Sequence, residues 1–213
     1  MAFILGQKKE MMQIFTADGL AKTATLVEVK PAVISQVKTP EKDGYSAVQI
    51  GYGSKKSKHI KKPQRGHLLK AKSSETETQN IRWMKEFRVE DPSKFEVGAV
   101  IDAGVFKEGD MVKVSAISKG KGFQGVVKRH GFSGGPRTHG QKHSEREAGS
   151  IGGGGRAGGR VAKGMRMPGR AGGRRVSVLN LEVLMVDAKS NAILVSGAVP
   201  GSRGTLVEIV SQK

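Results

Sequence analysis

The sequence predicts a mainly β protein, a closed barrel or sandwich of short strands with one long irregular excursion rich in glycine and arginine. Three observations carry this expectation. Short β-branched or alternating runs recur along most of the 213 residues, each closed by a turn signal. Helical periodicity is scarce. The formal charge of +18 resides in two segments, and the second of them also holds 18 of the 30 glycines.

Taken in order, KKEMMQIF near 8–15 has the spacing of a turn or two of helix. TATLVEVK (23–30), AVISQVK (32–38), SAVQIGYG (46–53), IRWMKEFRVE (81–90) and FEVGAVIDAGVF (95–106) read as strands. They stop at Pro31, Pro40, Asp43-Gly44, Asp91-Pro92 and Glu108-Gly109-Asp110, residues that favour turns or withhold a ladder donor. Between the third and fourth of these runs, GHLLKA (66–71) suggests a short helix and SSETETQN (73–80) a loop or linker. A further strand covers Met111–Ile117, and the pattern resumes with VSVLNLEVLMVD (176–187), NAILVSGAV (191–199) and TLVEIV (205–210). Trp83 and the phenylalanines at 3, 15, 87, 95 and 106 lie in strand-like runs and are assigned to the core. The expected organisation is a β-domain from residues 1–117 and 176–213, with a basic insertion at about 54–80, and an extended loop at 118–175. So long an excursion is tolerable only if it contacts something outside the domain.

Residues 54–72 carry eight basic side chains and no acid, and 118–175 carry fourteen basic side chains against Glu145 and Glu147. The rest of the chain is nearly neutral, at −2. A segment dominated by glycine and arginine has little apolar surface to offset its ordering entropy, so either a partner orders it or nothing does, and the charge requires that partner to be anionic. The absence of cysteine excludes disulfides, thiolate zinc sites and cysteine nucleophiles, and fits a reducing compartment such as the cytoplasm. The apolar stretch Ala2 to Leu5 is too short for a signal peptide, and no run approaches a membrane span.

Two motifs invite enzymatic readings. GKGFQGVV (120–127) satisfies G-x-G-x-x-G, but VVKRHGFSGGP after it does not offer the helix a dinucleotide site requires, and no kinase tract follows. It reads as a glycine turn flanked by Lys119, Lys121 and Lys128, with backbone N–H groups against a phosphate. GFSGG (131–135) matches the nucleophile elbow, yet Pro136 and the glycine-rich flanks do not supply its strand-to-helix turn. His130, His139 and His143 are assigned to hydrogen bonding or stacking on nucleic acid rather than to a metal.

The basic-patch rule makes RNA the anionic partner. Candidate contacts in the first segment are Lys55, Lys56, Lys58, Lys61, Lys62 and Arg65. In the second they are Lys119, Lys121, Lys128, Arg129, Arg137, Lys142, Arg146, Arg156, Arg160, Lys163, Arg166, Arg170, Arg174 and Arg175. Phe123 and Phe132 are the only aromatics of that segment, where base stacking competes with local anchoring.

From Ser118 the order of residues resembles a known family. SKGKGFQGVVKRHGFSGGPRTHG, then GSIG, GRVAKGMRMPGR and RRVSVLNLEVLMVDAKSNAILVSGAVPG are similar to large-subunit ribosomal protein L-three in its bacterial form. LGQKKEMMQIFTADG resembles that family's opening, and KPQRGHLLKA its short basic turn, so the likeness spans nearly the whole chain. Glu10 and Met12 depart from the opening motif, Ala148 stands where the family usually has proline, and Ala162 replaces a phenylalanine. No glutamine occurs between residues 142 and 211, so the glutamine methylation known in the family is not expected here.

The resemblance implies a translation-protein-type β-barrel on large-subunit ribosomal RNA, early in assembly, with its loop reaching toward the peptidyl-transferase region. Carried over by position, the loop tip is Gly149, Ser150, Ile151, Gly152, Gly153, Gly154 and Gly155. It further implies neighbouring ribosomal proteins, those numbered fourteen and nineteen, a cytoplasmic location in the ribosome, and a structural role. Catalysis, a cofactor, a metal, a membrane and a small-molecule substrate are not expected. The rival reading is a free RNA-binding chaperone, present outside ribosomes and tolerant of RNA sequence.

Overall fold

A computed structural model describes residues 2–16, 18–69 and 80–212, with only the backbone of 156 and 157. Two compact units emerge, residues 1–117 with 175–213 and residues 118–174. The first contains a closed barrel. Its strands are β1 (Phe3–Phe15), β2 (Ala21–Glu28), β7 (Met111–Ile117), β10 (Arg175–Asp187), β11 (Ala192–Ser196) and β12 (Leu206–Ser211), ordered β1-β12-β7-β10-β11-β2 and closed by the β1–β2 pairing. Every neighbouring pair is antiparallel. The alternation seen in sequence becomes an inside and an outside: Val112, Val114, Val207 and Ile209 are fully buried, and Lys113 and Glu208 between them are not. Register shifts at Lys8/Met11, Val178/Leu181 and Val183/Met185 bend the two longest strands around the barrel. Asn180, at φ 56°, occupies the second of these, and its N–H is taken by the Gln212 side chain at 2.7 Å.

The runs at 32–38, 46–53 and 81–90 do not join the barrel. They form a second sheet, ordered β5-β4-β3-β6, from β3 (Ala32–Lys38), β4 (Ala47–Ser54), β5 (Ile81–Arg88) and β6 (Val100–Ile101). A common core joins this sheet to the barrel, with Phe3 of β1 stacked on Phe87 of β5 at 4.7 Å and tilted against Phe95 at 5.6 Å. A one-turn helix, α1 (Pro40–Asp43), connects β3 to β4 and stops at Gly44, whose φ of 78° suits glycine.

Several expectations are corrected here. Residues 8–15 are strand, not helix, and extend β1 into a ribbon with β2. Phe15 at the end of that ribbon is 71% exposed and is no core residue. Residues 95–106 are not one strand. They comprise the two-residue β6 and a 3-10 turn at Ala103–Val105, with Ile101, Ala103 and Phe106 buried. The helix expected at 66–71 begins earlier, as α2 (Lys62–Leu69), and residues 70 and 71 lie outside the described set. So do 73–79 of the proposed linker.

The second unit contains the two-residue strands β8 (Phe123–Gln124) and β9 (Gly169–Arg170), the helix α3 (Val126–His130) and a 3-10 turn at Gly154–Ala157. Val126 is its one buried hydrophobic residue among those described. A segment with so little apolar burial has almost no core of its own. No helix among the described residues is long and apolar enough to cross a membrane.

Candidate nucleic-acid interface

The second unit starts as a short antiparallel ladder. Ser118 N–H donates to Arg174 O and Lys121 N–H to Ala171 O, while Ala171 N–H returns a bond to Gly122 O, each at 2.9 Å. Phe123 then pairs with Arg170 and Gln124 with Gly169. Gly172 makes the close approach possible: its φ is 69°, and a Cβ built there would lie 2.1 Å from the carbonyl oxygen of Lys119.

After the ladder, Gly125 caps α3 and Gly131, at φ 74°, ends it. The helix that follows the G-x-G-x-x-G tract has only five residues and is not the long helix a dinucleotide site requires. Its last turn carries Lys128, Arg129 and His130, where the carbonyl end of the helix favours positive charge. Arg129 donates through Nη1 to Met167 O, and His130 Nε2 lies 3.0 Å from the same oxygen. One backbone carbonyl thus ties the outgoing and returning strands of the loop together. Phe132 is half-buried and its ring sits 6.0 Å from that of His130, so local anchoring is part of its role, whereas Phe123 is 76% exposed.

Further out, Gly135 N–H donates to Glu145 O at 2.8 Å, and the Glu145 carboxylate accepts from Arg137 Nε at 3.2 Å. Ser133 is exposed in an irregular stretch and does not sit on a strand-to-helix turn. Among the described residues no group of three His, Cys, Asp or Glu side chains is placed to hold a metal.

The remaining candidates are distributed as follows. Lys119, Lys121, Lys128, Lys142, Arg146, Arg160, Lys163, Arg166, Arg170 and Arg174 are exposed, as are His139 and His143, and His130 is half-buried. The side chain of Arg156 is outside the described set. Arg175 is the first residue of β10 and belongs to the first unit, where it is ion-paired with Glu208. The tip residues 149–155 are all exposed.

The other basic segment is held by two apolar anchors, Ile60 and Leu68, at 6% and 0% exposure. Around them Lys56, Lys58, Lys61, Lys62 and Arg65 face solvent and Lys55 is half-buried, its N–H donating to Asn80 O at 2.7 Å. His67 is fixed by Gln49 Oε1 at 2.7 Å, which orients α2 against the second sheet. Sequence reasoning missed the organising roles of Glu145 and Met167. Glu145 was open to detection as one of only two acids in a basic segment. Met167 was not, because it acts through its backbone carbonyl.

This arrangement, cations displayed on a scaffold with almost no core, suits a polyanion and not a small substrate. Comparison with known proteins agrees, since residues 84–193 match the family described as Ribosomal protein L3. The chain belongs to this family. The protein named large ribosomal subunit protein uL3 from Pelotomaculum thermopropionicum is 48% identical over 206 residues, 97% of this chain and 94% of that one. The protein of the same name from Desulfitobacterium hafniense is 48% identical over 204 residues, 96% and 92% of the two chains. That of Prochlorococcus marinus is 44% identical over 206 residues, 97% and 92%. The resemblance read from residues 118–202 and the mainly β fold it implied are thereby established.

Proposed function

We infer that the chain is a structural constituent of the large ribosomal subunit that binds its RNA through two basic surfaces, one at 54–69 and one on the unit 118–174. Membership of the L3 family supports this reading, and so does the exposure of the cations on the second unit. The barrel domain docks on the RNA surface. The loop is ordered between RNA helices, glycine admitting backbone to narrow spaces and arginine bridging phosphates and stacking on bases. Lys119, Lys121, Lys128, Arg129, Arg146, Arg160, Lys163, Arg166, Arg170 and Arg174 make phosphate contacts, and His139 and His143 make polar or stacking contacts. By family likeness the tip Gly149 to Gly155 reaches toward the peptidyl-transferase region, the chain joins early in assembly, and its protein neighbours are those numbered fourteen and nineteen. It works in the cytoplasm, in the ribosome, as a scaffold and not as a catalyst.

The single observation that carries this is a loop bearing thirteen basic residues between 118 and 174 with one buried hydrophobic side chain among those described. Quantitative mass spectrometry across a salt-washed sucrose gradient tests it. One copy per large subunit, resistant to the wash, is expected. Recovery as free protein, or stripping by moderate salt, would replace this reading with that of an RNA chaperone. Placement of the tip is tested by Gly153→Trp, which should impair peptide-bond formation in assembled subunits while leaving the barrel's melting temperature unchanged.

A further inference from the structure

We propose that the second sheet carries an additional site for one unpaired RNA nucleotide, a stacking platform built from Tyr52, Trp83 and Arg82 with Lys30 placed for phosphate. This rests on the RNA-binding reading above and extends it beyond both basic segments. Tyr52 of β4 and Trp83 of β5 are register partners, and their rings stack with centroids 5.9 Å apart and planes 25° from parallel. Tyr52 is 2% exposed, and its hydroxyl donates to Glu28 O at 2.9 Å, so the inner ring cannot swing. Gly53, at φ 70°, brings backbone directly against the indole: a Cβ built there would lie 2.8 Å from Cζ3 of Trp83.

Trp83 itself is half-buried, whereas Arg82 is exposed, with its guanidinium carbon 4.1 Å from the indole centroid. The ring quadrupole holds the cation there. A guanidinium plane is in turn a surface on which a base can stack while its N–H groups reach phosphate. Arg82 forms no carboxylate ion pair among the described residues. Packing of Trp83 alone would explain the Tyr52 and Gly53 contacts. It does not explain a guanidinium that has no ion pair among the described residues and is laid on the indole beside an open cleft.

That cleft has a volume of about 380 Å³, and its described lining contains two cations and no carboxylate: Arg82, and Lys30, which also lies 3.6 Å from the Glu28 carboxylate whose other oxygen is held by Lys9. A volume of this order accommodates a small ligand of nucleotide size. Ser54 lines it and is followed directly by Lys55 and Lys56, so a nucleic-acid backbone leaving the cleft meets the first basic segment at once. The occupant is unpaired because a base inside a helix has no free face to offer.

Trp83 is the only tryptophan, so its fluorescence reports on this site alone. The experiment titrates the full chain with bacterial large-subunit rRNA transcribed in vitro, following affinity by filter binding together with Trp83 emission and its quenching by acrylamide. Emission should fall, and acrylamide should lose access, in step with binding. Arg82→Ala should weaken binding about ten-fold. Arg82→Lys should restore only part of this, because ammonium keeps the charge without the plane; thermal melts should show both variants folded. Full-affinity binding with Trp83 emission and accessibility unchanged would overturn the site and leave the RNA-binding reading standing. Full rescue by lysine, or no effect of alanine, would overturn the stacking platform. Failure of the parent chain to bind the rRNA would remove both.

Discussion

Glu208 takes two cations from separate elements, Lys85 of β5 at 3.3 Å and Arg175 at the start of β10. Its side chain is 12% exposed, but Lys85 and Arg175 are 46% and 53% exposed, so removing the carboxylate leaves two cations that water still screens. Glu208→Ala should lower unfolding stability by about 1 kcal/mol in urea titrations, with Glu208→Gln losing less. The same pairing bears on the assignment of Arg175 as an RNA contact, since a phosphate would have to compete with Glu208. A second residue-scale effect is set by pH. The hydrogen bond from Lys9, helped by the charge of Lys30, holds the Glu28 carboxyl below its ordinary range, and the hydrogen bond from Lys38, helped by Tyr45 and Gln49, does the same for Glu86. A carboxylate depressed in the folded state stabilises the fold above its unfolded value, about 4.3 for glutamate, and loses that contribution as pH falls through the folded value. The melting temperature should therefore hold from neutral pH to about 5 and drop below about 4, with Glu86→Gln less sensitive over that acid range. Burial pushes the Tyr52 hydroxyl up to about 12, so it stays a donor to Glu28 O at any physiological pH. Tyr52→Phe should cost about 1 kcal/mol by leaving that carbonyl without its partner.

At the scale of elements, two glycines mark where backbones approach too closely for a side chain. A Cβ on Gly6 of β1 would sit 2.5 Å from Val27 Cγ1 and 3.0 Å from Glu28 O of β2, so Gly6→Ala should overpack the barrel wall by about 1–3 kcal/mol, read from chemical denaturation. Gly172 meets backbone alone, at Lys119 O, and Gly172→Val should break the ladder at the base of the loop. Hydrogen exchange should then accelerate at Lys121 and Ala171 while β7 and β12 stay protected. The strands most legible in sequence, β7 and β12, are those whose alternate residues line the barrel interior. Residues 9–15 of β1 were misread as helix because none of them is buried, so no core imprints a period of two. The apolar run at 95–106 was misread in the opposite sense: Ile101, Ala103 and Phe106 fill the core from turns, and turns bury residues without periodicity. Which strands share a sheet was not legible, because partner choice depends on residues far away in the chain. The basic surfaces were legible from composition, whereas the Met167 carbonyl that gathers Arg129 and His130 leaves no mark in a side-chain alphabet.

For the whole molecule, the division into two units separates stability from charge. Ile117 and Arg175 face each other across an antiparallel pair, so a two-residue Asn-Gly turn can replace 118–174. The excised protein should keep its β-rich circular dichroism and melt within a few degrees of the parent, while its rRNA affinity collapses. In the full chain, if about ten cations neutralise phosphates, affinity should fall by about 10³- to 10⁵-fold between roughly 50 and 200 mM salt, and the slope should shrink in the excised form. The pairing of β1 with β12, between the two ends of the chain, has a different consequence. Phe3 to Gln7 of β1 pair with Leu206 to Val210, so the first strand waits for nearly the whole chain to be synthesised before its second edge is covered. Until then a nascent chain carries bare, hydrogen-bonding edges on both β1 and β7, the kind of template that recruits neighbouring copies. Residues 118–174 carry thirteen basic side chains against two acidic ones and emerge before β12, so mutual repulsion between unfinished chains should oppose that association, and replacing these cations by neutral residues should increase aggregation during synthesis.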